Sequence, residues 1–141
     1  YMSLSNRQPV NTFGKDAELS TYSRGMGTIG LPGDLSSSGR FAKVAFTKLN
    51  VTNVEGETES VAQFFHILHS VEQQKGCCEV REGDYEYTIY SSCMNTNRGI
   101  YYYTTYNDAT IHAIDMHRCN LDGNEIVSYP FMDEAKIEYQ N

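Results

Sequence analysis

The residue best placed to do chemistry in this sequence is an arginine, Arg40, in the first turn of a predicted helix. The helix dipole disfavours a cation at that end by about 0.3–1 kcal/mol. A charge placed where it lowers helix stability indicates an electrostatic role. The neighbouring glycine-rich loop also favours a functional site here, since such sites concentrate on loops held by rigid elements. The alternative is an ordinary ion pair, with Asp34 or with an acid elsewhere.

The glycine-rich loop before this helix matches the dinucleotide-binding pattern GxGxxG letter for letter, from Gly25 to Gly30. In true dinucleotide sites the pattern joins a buried strand to a helix whose N-terminal amides hold the pyrophosphate. Here residues 18–21 do not read as a buried strand, and the turn at residues 31–34 delays the helix. We therefore interpret the segment as a flexible or tightly turned loop.

Serines and histidines are other candidates for a site, but a structural role such as helix capping or packing accounts for each of them. The serines at 36–38 lack the GxSxG pattern of a serine nucleophile and suit helix capping. His66 and His69, three residues apart, would share a metal only with a third ligand that the sequence does not identify. We interpret them as one packed and one surface histidine. Nothing in the sequence ties His112 or His117 to a partner.

Composition excludes several classes of function. Eleven Lys and Arg against eighteen Asp and Glu give a net charge of −7 with no basic run, which argues against binding nucleic acid or an anionic membrane. No apolar run approaches the roughly 20 residues that cross a bilayer, and nothing resembles a signal peptide. The four cysteines, Cys77, Cys78, Cys93 and Cys119, show no metal or disulfide spacing, so we expect reduced thiols in a cytosolic protein.

Hydrophobic periodicity predicts two helices. Apolar residues at helical spacing place the first over residues 38–50. After an acidic loop over residues 51–59, the second helix is predicted to begin at a capping box, Ser60 to Gln63, and to end at Lys75 and Gly76.

After the helices the period changes to two, which indicates strands. They are predicted over residues 85–90, 100–106, 110–116 and near 126–129, with turns at 95–99 and 107–108. The fold class is therefore α+β: two helices followed by an antiparallel meander. One sheet with helices on one face leaves its other face in need of a cover.

Ordered sequence blocks add information that periodicity cannot. The stretch YSRGMG…GLPGDLSS…RF runs from Tyr22 to Phe41, and further blocks lie at residues 46–50, 63–68, 70–76, 86–93, 99–103 and 127–130. Together they closely resemble the choloylglycine hydrolases, which are bacterial conjugated bile acid hydrolases and relatives of penicillin V acylase. Residues 71–76 are more similar to the bile-salt branch.

The resemblance implies an N-terminal-nucleophile hydrolase with an αββα sandwich, usually a homotetramer in the bacterial cytoplasm. In that family an N-terminal cysteine attacks the amide that joins a bile acid to glycine or taurine, and its own α-amine serves as the base. Nearby Asp, Asn and Arg side chains tune the thiol and hold the tetrahedral intermediate. We expect no cofactor and no metal.

The resemblance covers only the C-terminal part of the family, as one portion of a single domain over residues 1–141. The chain opens Tyr1-Met2, and no cysteine lies near that end. We therefore expect a piece of a longer protein that is inert alone and whose partner is the missing N-terminal half of the same fold.

Family site residues carry over at two places. Arg40 matches the arginine of the Ser-x-x-x-Arg-Phe block, whose expected role is to favour the thiolate and bind developing negative charge. The loop of Tyr22, Gly25, Met26, Gly27, Thr28 and Ile29 corresponds to a rim of the bile-acid pocket. Gly39 stands where serine is common and is expected to loosen the helix start. Thr28 stands where glycine is common and is expected to stiffen the loop.

Two other functions remain open at this point. The substrate of the same scaffold can be a penicillin or another N-acyl amide. Alternatively, the chain is a truncated, non-catalytic module that binds an amphipathic ligand or completes a sheet with a partner, as the uncovered sheet face indicates.

Overall fold

The computed structural model describes residues 7–9, 11, 14, 16–17, 19–20 and 23–141. Two compact units divide the chain, Tyr1–Asn53 and Val54–Asn141. Within the described ranges no helix has both the length and the apolar character needed to cross a membrane.

The elements of the two units follow the predicted α+β order. The first unit contains a short 3-10 helix, Arg24–Thr28, and helix α1, Ser37–Asn50. The second unit contains one helix, five strands and a 3-10 turn: α2 (Glu57–His69), β1 (Glu79–Arg81), β2 (Asp84–Tyr85), β3 (Tyr90–Asn95), β4 (Ile100–Thr105), β5 (His112–Asp115) and Met116–Arg118.

Helix α1 confirms the predicted element and its serine cap. The Ser36 side chain accepts the N–H of Gly39 at 3.1 Å, which satisfies one of the free backbone donors of the first turn. At the other end the N–H of Val51 donates to Thr47 at 2.9 Å and closes the last turn.

Helix α2 begins earlier than its predicted capping box. Gly56 is the N-cap, with φ +92°, a conformation that glycine adopts without steric cost. The hydroxyl of Ser60 donates to the Gly56 carbonyl at 2.6 Å, so it lies inside the helix and caps nothing. The predicted start at residue 60 is therefore wrong, and Glu57 and Glu59 form the acidic first turn.

Helix α2 also ends earlier than predicted, at His69, because tertiary hydrogen bonds hold the following segment. Gln73, which is buried, donates its N–H to the Thr88 hydroxyl at 3.0 Å and accepts the Thr88 N–H at 3.0 Å. Those bonds are incompatible with a helix running to Lys75. Gly76 instead lies in an exposed turn with φ +98°.

The three-stranded meander is confirmed, whereas two strand predictions are wrong. Strands β3, β4 and β5 pair antiparallel in that order, and the turn at 95–99 forms with Arg98 N–H donating to Asn95 Oδ1 at 3.1 Å. The strand predicted over residues 85–90 instead starts at Tyr90. Before it, β1 and β2 form a small hairpin that the periodicity did not predict.

The strand predicted near 126–129 is not formed: those residues have no regular secondary structure, and the residues just beyond them contact the sheet through side chains. Phe131 stacks on Tyr103, with ring centroids 6.2 Å apart and an angle of 11°. Beyond it, Thr105 donates its hydroxyl to the Met132 carbonyl at 2.9 Å, and Asn107 Nδ2 donates to Asp133 at 3.1 Å. Side-chain contacts, not a ladder of backbone bonds, therefore hold this segment.

Different parts of the chain cover the two faces of the meander. One face packs on α2, where Phe65 is 2% exposed and Thr104 is 1% exposed. The opposite face, which we call the aromatic face, consists of Tyr90, Tyr101, Tyr103 and Ile114. The segment from Tyr129 to Phe131 crosses it and leaves a cavity of about 260 Å³. Tyr90 and Phe131 stay about half exposed, in agreement with the predicted uncovered face.

The turn between β4 and β5 is built around a buried carboxylate, Asp108. It accepts the N–H of Thr110 at 2.9 Å and lies 2.9 Å from His112 Nε2. The predicted turn at 107–108 is confirmed, and the expectation that nothing pairs with His112 is wrong. Hydrogen bonds from Thr110, followed by that from His112, lower the pKa of Asp108 from 3.8 to about 2.

This carboxylate predicts acid sensitivity of the fold. Because the pKa is depressed in the folded state, the stabilisation is present above the unfolded value of 3.8 and is lost as the pH falls from 3.8 to about 2. We expect the urea midpoint of the chain to fall across that window, and Asp108→Asn to flatten the fall. Asp122→Asn, in an exposed loop, is the matched control. An Asp108→Asn profile that superimposes on the unmodified chain would contradict this assignment.

Candidate functional site

The candidate site in the first unit is centred on Arg40. The serine cap at Ser36 sets the start of α1, and the Arg40 N–H donates to the Ser36 carbonyl at 2.9 Å, which closes the first helical turn. Arg40 is half-buried. This N-terminal end of a helix disfavours a cation because of the helix dipole. The first turn of α1 contains no acidic residue that would offset the charge.

A carboxylate lies beside the same helix start. Asp34 accepts the N–H of Ser36 at 2.9 Å and also the Ser36 hydroxyl. The hydroxyl bond, followed by the backbone bond, lowers the pKa of Asp34. The anion is favourable at this end of the helix, so it offsets part of the cost of placing Arg40 there.

Gly39 provides the space for that carboxylate. It is buried, and a Cβ added to it would lie 2.5 Å from Asp34 Oδ2, closer than real Cβ contacts. The sequence led us to expect that Gly39 loosens the start of the helix. In the structure the glycine has another effect, which is to leave room for a carboxylate. The absence of a side chain lets Asp34 reach the first turn, where Ser36 still caps the helix.

The glycine-rich loop is tightly turned. Its 3-10 helix spans Arg24–Thr28, the Ile29 N–H donates to Met26 at 3.1 Å, and Gly30 has φ +92°. The Thr28 hydroxyl donates to the Gly25 carbonyl at 2.8 Å, a bond that the glycine common in the family could not make. This bond agrees with the stiffer loop expected from Thr28.

The loop geometry agrees with the rejection of a dinucleotide site. Within the described part of the loop, no strand precedes it, and α1 begins seven residues after Gly30. Four of the predicted rim residues, Gly25, Met26, Gly27 and Thr28, form the 3-10 helix, and Ile29 follows it with 62% exposure. Tyr22 lies outside the described residues.

In the second unit, a charged cluster that the sequence analysis did not single out fixes the start of α2. The Glu57 carboxylate accepts bonds from Asn95 Nδ2 at 2.6 Å, from the Tyr102 hydroxyl at 2.9 Å and from Arg98. The bond from Tyr102 is the foremost cause that lowers the pKa of Glu57. No sequence signal could have shown this cluster, because its three donors lie 38 to 45 residues from Glu57. Its bonds are all internal, so it anchors the helix to the sheet.

The remaining candidates are not brought into a site. His69 is half-buried with Nε2 3.3 Å from the Thr104 hydroxyl, while His66 is exposed, as predicted for one packed and one surface histidine. In the part of the chain that the structure describes, no three His, Cys, Asp or Glu side chains are placed to hold a metal. All four cysteines are free, in agreement with the expected thiols.

Comparisons with known proteins assign the family. The profile described as linear amide C–N hydrolases, choloylglycine hydrolase family, matches residues 1–129. A bile salt hydrolase/transferase of Lactiplantibacillus plantarum is 54% identical over 136 residues, which are 96% of this chain and 42% of that protein. A bile salt hydrolase/transferase of Clostridium perfringens is 39% identical over 89% of this chain and 38% of its own length.

Solved structures agree with the sequence comparisons. A crystal structure of a mutant conjugated bile acid hydrolase from Clostridium perfringens matches with a TM-score of 0.83 and 36% identity, over 99% of this chain and 43% of that one. Penicillin V acylase from Agrobacterium tumefaciens matches with a TM-score of 0.56 over 67% of this chain and 30% of that one, and its 22% identity shows the fold alone.

These matches confirm the α+β architecture and the resemblance in the sequence blocks. The chain spans about 42% of the length of the Lactiplantibacillus plantarum relative and 38% of the Clostridium perfringens one. The profile match over residues 1–129 and the 54% identity are far beyond what composition or a shared fold class would give. The chain belongs to the choloylglycine hydrolase family of linear amide C–N hydrolases.

Proposed function

We propose that this chain is the C-terminal part of a bile salt hydrolase that cleaves the amide bond of glycine- or taurine-conjugated bile acids. The observation that carries the proposal is the 54% identity, over 96% of the chain, to a protein named bile salt hydrolase/transferase. The complete enzyme would take its nucleophile, an N-terminal cysteine, from outside this chain.

Arg40 is the proposed catalytic residue of the chain. Attack of a thiolate on an amide carbonyl moves negative charge from sulfur to the carbonyl oxygen, and a nearby cation stabilises both species. The position of Arg40 supports this role, since α1 holds it by a capped first turn at the helix end that disfavours a cation. A purely structural cation would be better placed at the other end of the helix.

The loop at residues 22–29 is proposed to form one rim of the substrate pocket. The 3-10 turn of residues 24–28 and the bond from Thr28 to Gly25 restrain the described part of this loop, which reduces the ordering cost of binding. Ile29 presents an apolar side chain that is 62% exposed. Such a side chain suits the apolar surface of a steroid better than it suits water.

The proposed assembly follows the family resemblance. The complete protein is proposed to act as a homotetramer in the bacterial cytoplasm, with the rest of the fold as the first partner of this chain.

A penicillin substrate is not favoured, because the Lactiplantibacillus plantarum and Clostridium perfringens relatives are named for bile salts and penicillin V acylase shares the fold alone.

The role of Arg40 can be tested in a fused protein, in which this chain replaces the matching segment of the Lactiplantibacillus plantarum relative. We expect Arg40→Gln to lower kcat/KM for glycocholate and taurocholate by roughly 100-fold or more, the typical loss when one group that holds an oxyanion is removed. The measurement is steady-state release of glycine and taurine, with penicillin V as a comparison substrate.

Lys48→Gln is the matched control, since Lys48 is an exposed cation on the same helix, about two turns further along. It should leave kcat/KM within about twofold, because surface-type substitutions away from a site have small effects. Equal losses for the two variants would show that Arg40 contributes only general charge or helix stability. A fused protein that prefers penicillin V would transfer the proposal to the acylase branch.

The isolated chain is predicted to be inert as an amidase. Its first residue is Tyr1 and its four cysteines all lie far along the chain, so none of them can use its own α-amine as the base, as the family's nucleophile does. Incubation of the purified chain with conjugated bile acids should release no glycine or taurine above the buffer rate. Release that survives purification and disappears in Arg40→Gln would refute the proposal that the nucleophile lies outside this chain.

Tight binding of bile acids without any activity in the fused protein would favour the alternative of a non-catalytic binding module.

The space at Gly39 gives a stability prediction. Gly39→Ser gains up to about 0.5 kcal/mol of helix propensity, but the new Cβ displaces Asp34 from the first turn, and such overpacking costs about 1–3 kcal/mol. We therefore expect a net loss in the free energy of unfolding of the chain, measured in urea. Gly33→Ser is the control, because nothing lies within 4 Å of a Cβ at that position. A gain in stability for Gly39→Ser would show that Asp34 relocates without cost.

A further inference from the structure

Three consecutive serines precede the proposed catalytic arginine, and each of them has the side chain of a good N-cap for α1. They are Ser36, Ser37 and Ser38. In the structure Ser36 is the N-cap, so the N–H of Arg40 makes the first backbone bond of the helix, to the Ser36 carbonyl at 2.9 Å. A start at either later serine would leave that N–H among the free donors of a helix end. The choice of cap therefore decides whether the backbone of Arg40 is bonded.

Asp34 favours the first of these serines. Its carboxylate accepts the Ser36 N–H at 2.9 Å and also the Ser36 hydroxyl. Because the hydroxyl proton is donated to the carboxylate, both lone pairs of the hydroxyl oxygen remain as acceptors. That oxygen accepts the N–H of Gly39 at 3.1 Å, and the Ser38 hydroxyl lies 3.2 Å from it. Ser38 therefore joins the cap formed by Ser36 instead of forming its own.

Gly39 leaves room for the carboxylate in the first turn of the helix. A Cβ at this position would lie 2.5 Å from Asp34 Oδ2 and 2.6 Å from Oδ1. The Asp34 side chain therefore packs against the backbone one residue before Arg40, inside the turn whose start it selects.

The placement of its backbone matters for Arg40 because the charge lies at the end of a long side chain. A guanidinium on such a side chain has many rotamers, and a firmly held Cα limits the region that it can reach. Displacement of a catalytic group by about 1 Å can lower a rate by roughly 100-fold. A loosened first turn would therefore slow the chemical step more than it would weaken substrate binding.

We propose that Asp34 is a positioning residue of the amidase, which selects Ser36 as the cap of α1 and so fixes the backbone from which Arg40 reaches the reacting atoms. The inference rests on the proposed function, in which Arg40 stabilises the thiolate and the tetrahedral intermediate. Asp34 acts through the two hydrogen bonds that it accepts, not through its charge, because an anion close to Arg40 would oppose the effect of the cation on a thiolate.

The fused protein tests this role by substitution of Asp34. Asp34→Ala should lower kcat for glycocholate and taurocholate by about tenfold or more and leave KM within about twofold, since only the transition state loses an aligned cation. Asp34→Asn should keep kcat within about threefold of the unmodified value, because its amide oxygen still accepts both bonds from Ser36. An asparagine variant as slow as the alanine variant would overturn the proposed acceptor role.

Asp122→Ala is the matched control, since Asp122 is an acid in an exposed loop of the second unit. It should leave kcat and KM within about twofold of the unmodified values. A loss equal to that of Asp34→Ala would mean that any lost carboxylate slows the enzyme, which would overturn the specific role of Asp34.

A double-mutant cycle shows whether Asp34 acts through Arg40. In the Arg40→Gln background, Asp34→Ala should lower kcat by less than about twofold, because no guanidinium is left to position. Losses that multiply in the double variant would show that Asp34 affects the stability of the enzyme or another part of its site, and they would refute the proposal.

Hydrogen exchange of single amides, measured in the chain itself, does not depend on activity. Asp34→Ala should speed exchange of the Arg40 amide by about tenfold, while the amide of Val51, bonded to Thr47 at the other end of α1, should not change. An unchanged Arg40 amide would overturn the selection of the helix start, even if the fused protein hydrolyses bile salts. Faster exchange, together with a fused protein that has no amidase activity, would support the helix start and refute the proposed reaction.

Discussion

The second unit depends on the attachment of α2 to the sheet, and one carboxylate fixes where that attachment begins. Glu57 starts the helix immediately after a glycine in the left-handed region, and its oxygens accept bonds from Tyr102, Asn95 and Arg98. Three donors on one side chain define both the position of the helix and its rotation about its axis. Phe65 then packs two turns further on, against the sheet.

That attachment covers one face of the meander, while the segment from Tyr129 to Phe131 covers the aromatic face only in part. On the covered side Thr104 and Phe65 are buried, while Tyr90 and Phe131 on the aromatic face stay about half exposed. A layer of this kind is stable when a second layer packs on its apolar side, which is the arrangement of an αββα sandwich. The partly open aromatic face therefore supports the proposal that this chain is one part of a larger hydrolase.

The first unit shows how a functional charge is held against its own local preference. Arg40 lies at the helix end that disfavours a cation, and the structure compensates with the Ser36 cap and the Asp34 carboxylate. Gly39 makes the compensation possible, because any side chain there would occupy the place of that carboxylate. Capping, charge and space are thus coupled within seven residues.

The sequence by itself determined the features that depend on local chemistry. Periodicity and a serine cap predicted α1, the Asn95–Gly99 turn predicted the β3–β4 hairpin, and ordered blocks around Arg40 predicted the family. Only the tertiary structure decided where α2 starts and ends, that residues 126–129 form no strand, and that Asp108 pairs with His112. Most of these outcomes rest on contacts between residues far apart in the chain, such as Gln73 with Thr88 or Phe131 with Tyr103. Propensity and spacing report the preference of a short segment, and burial and long-range hydrogen bonds override it.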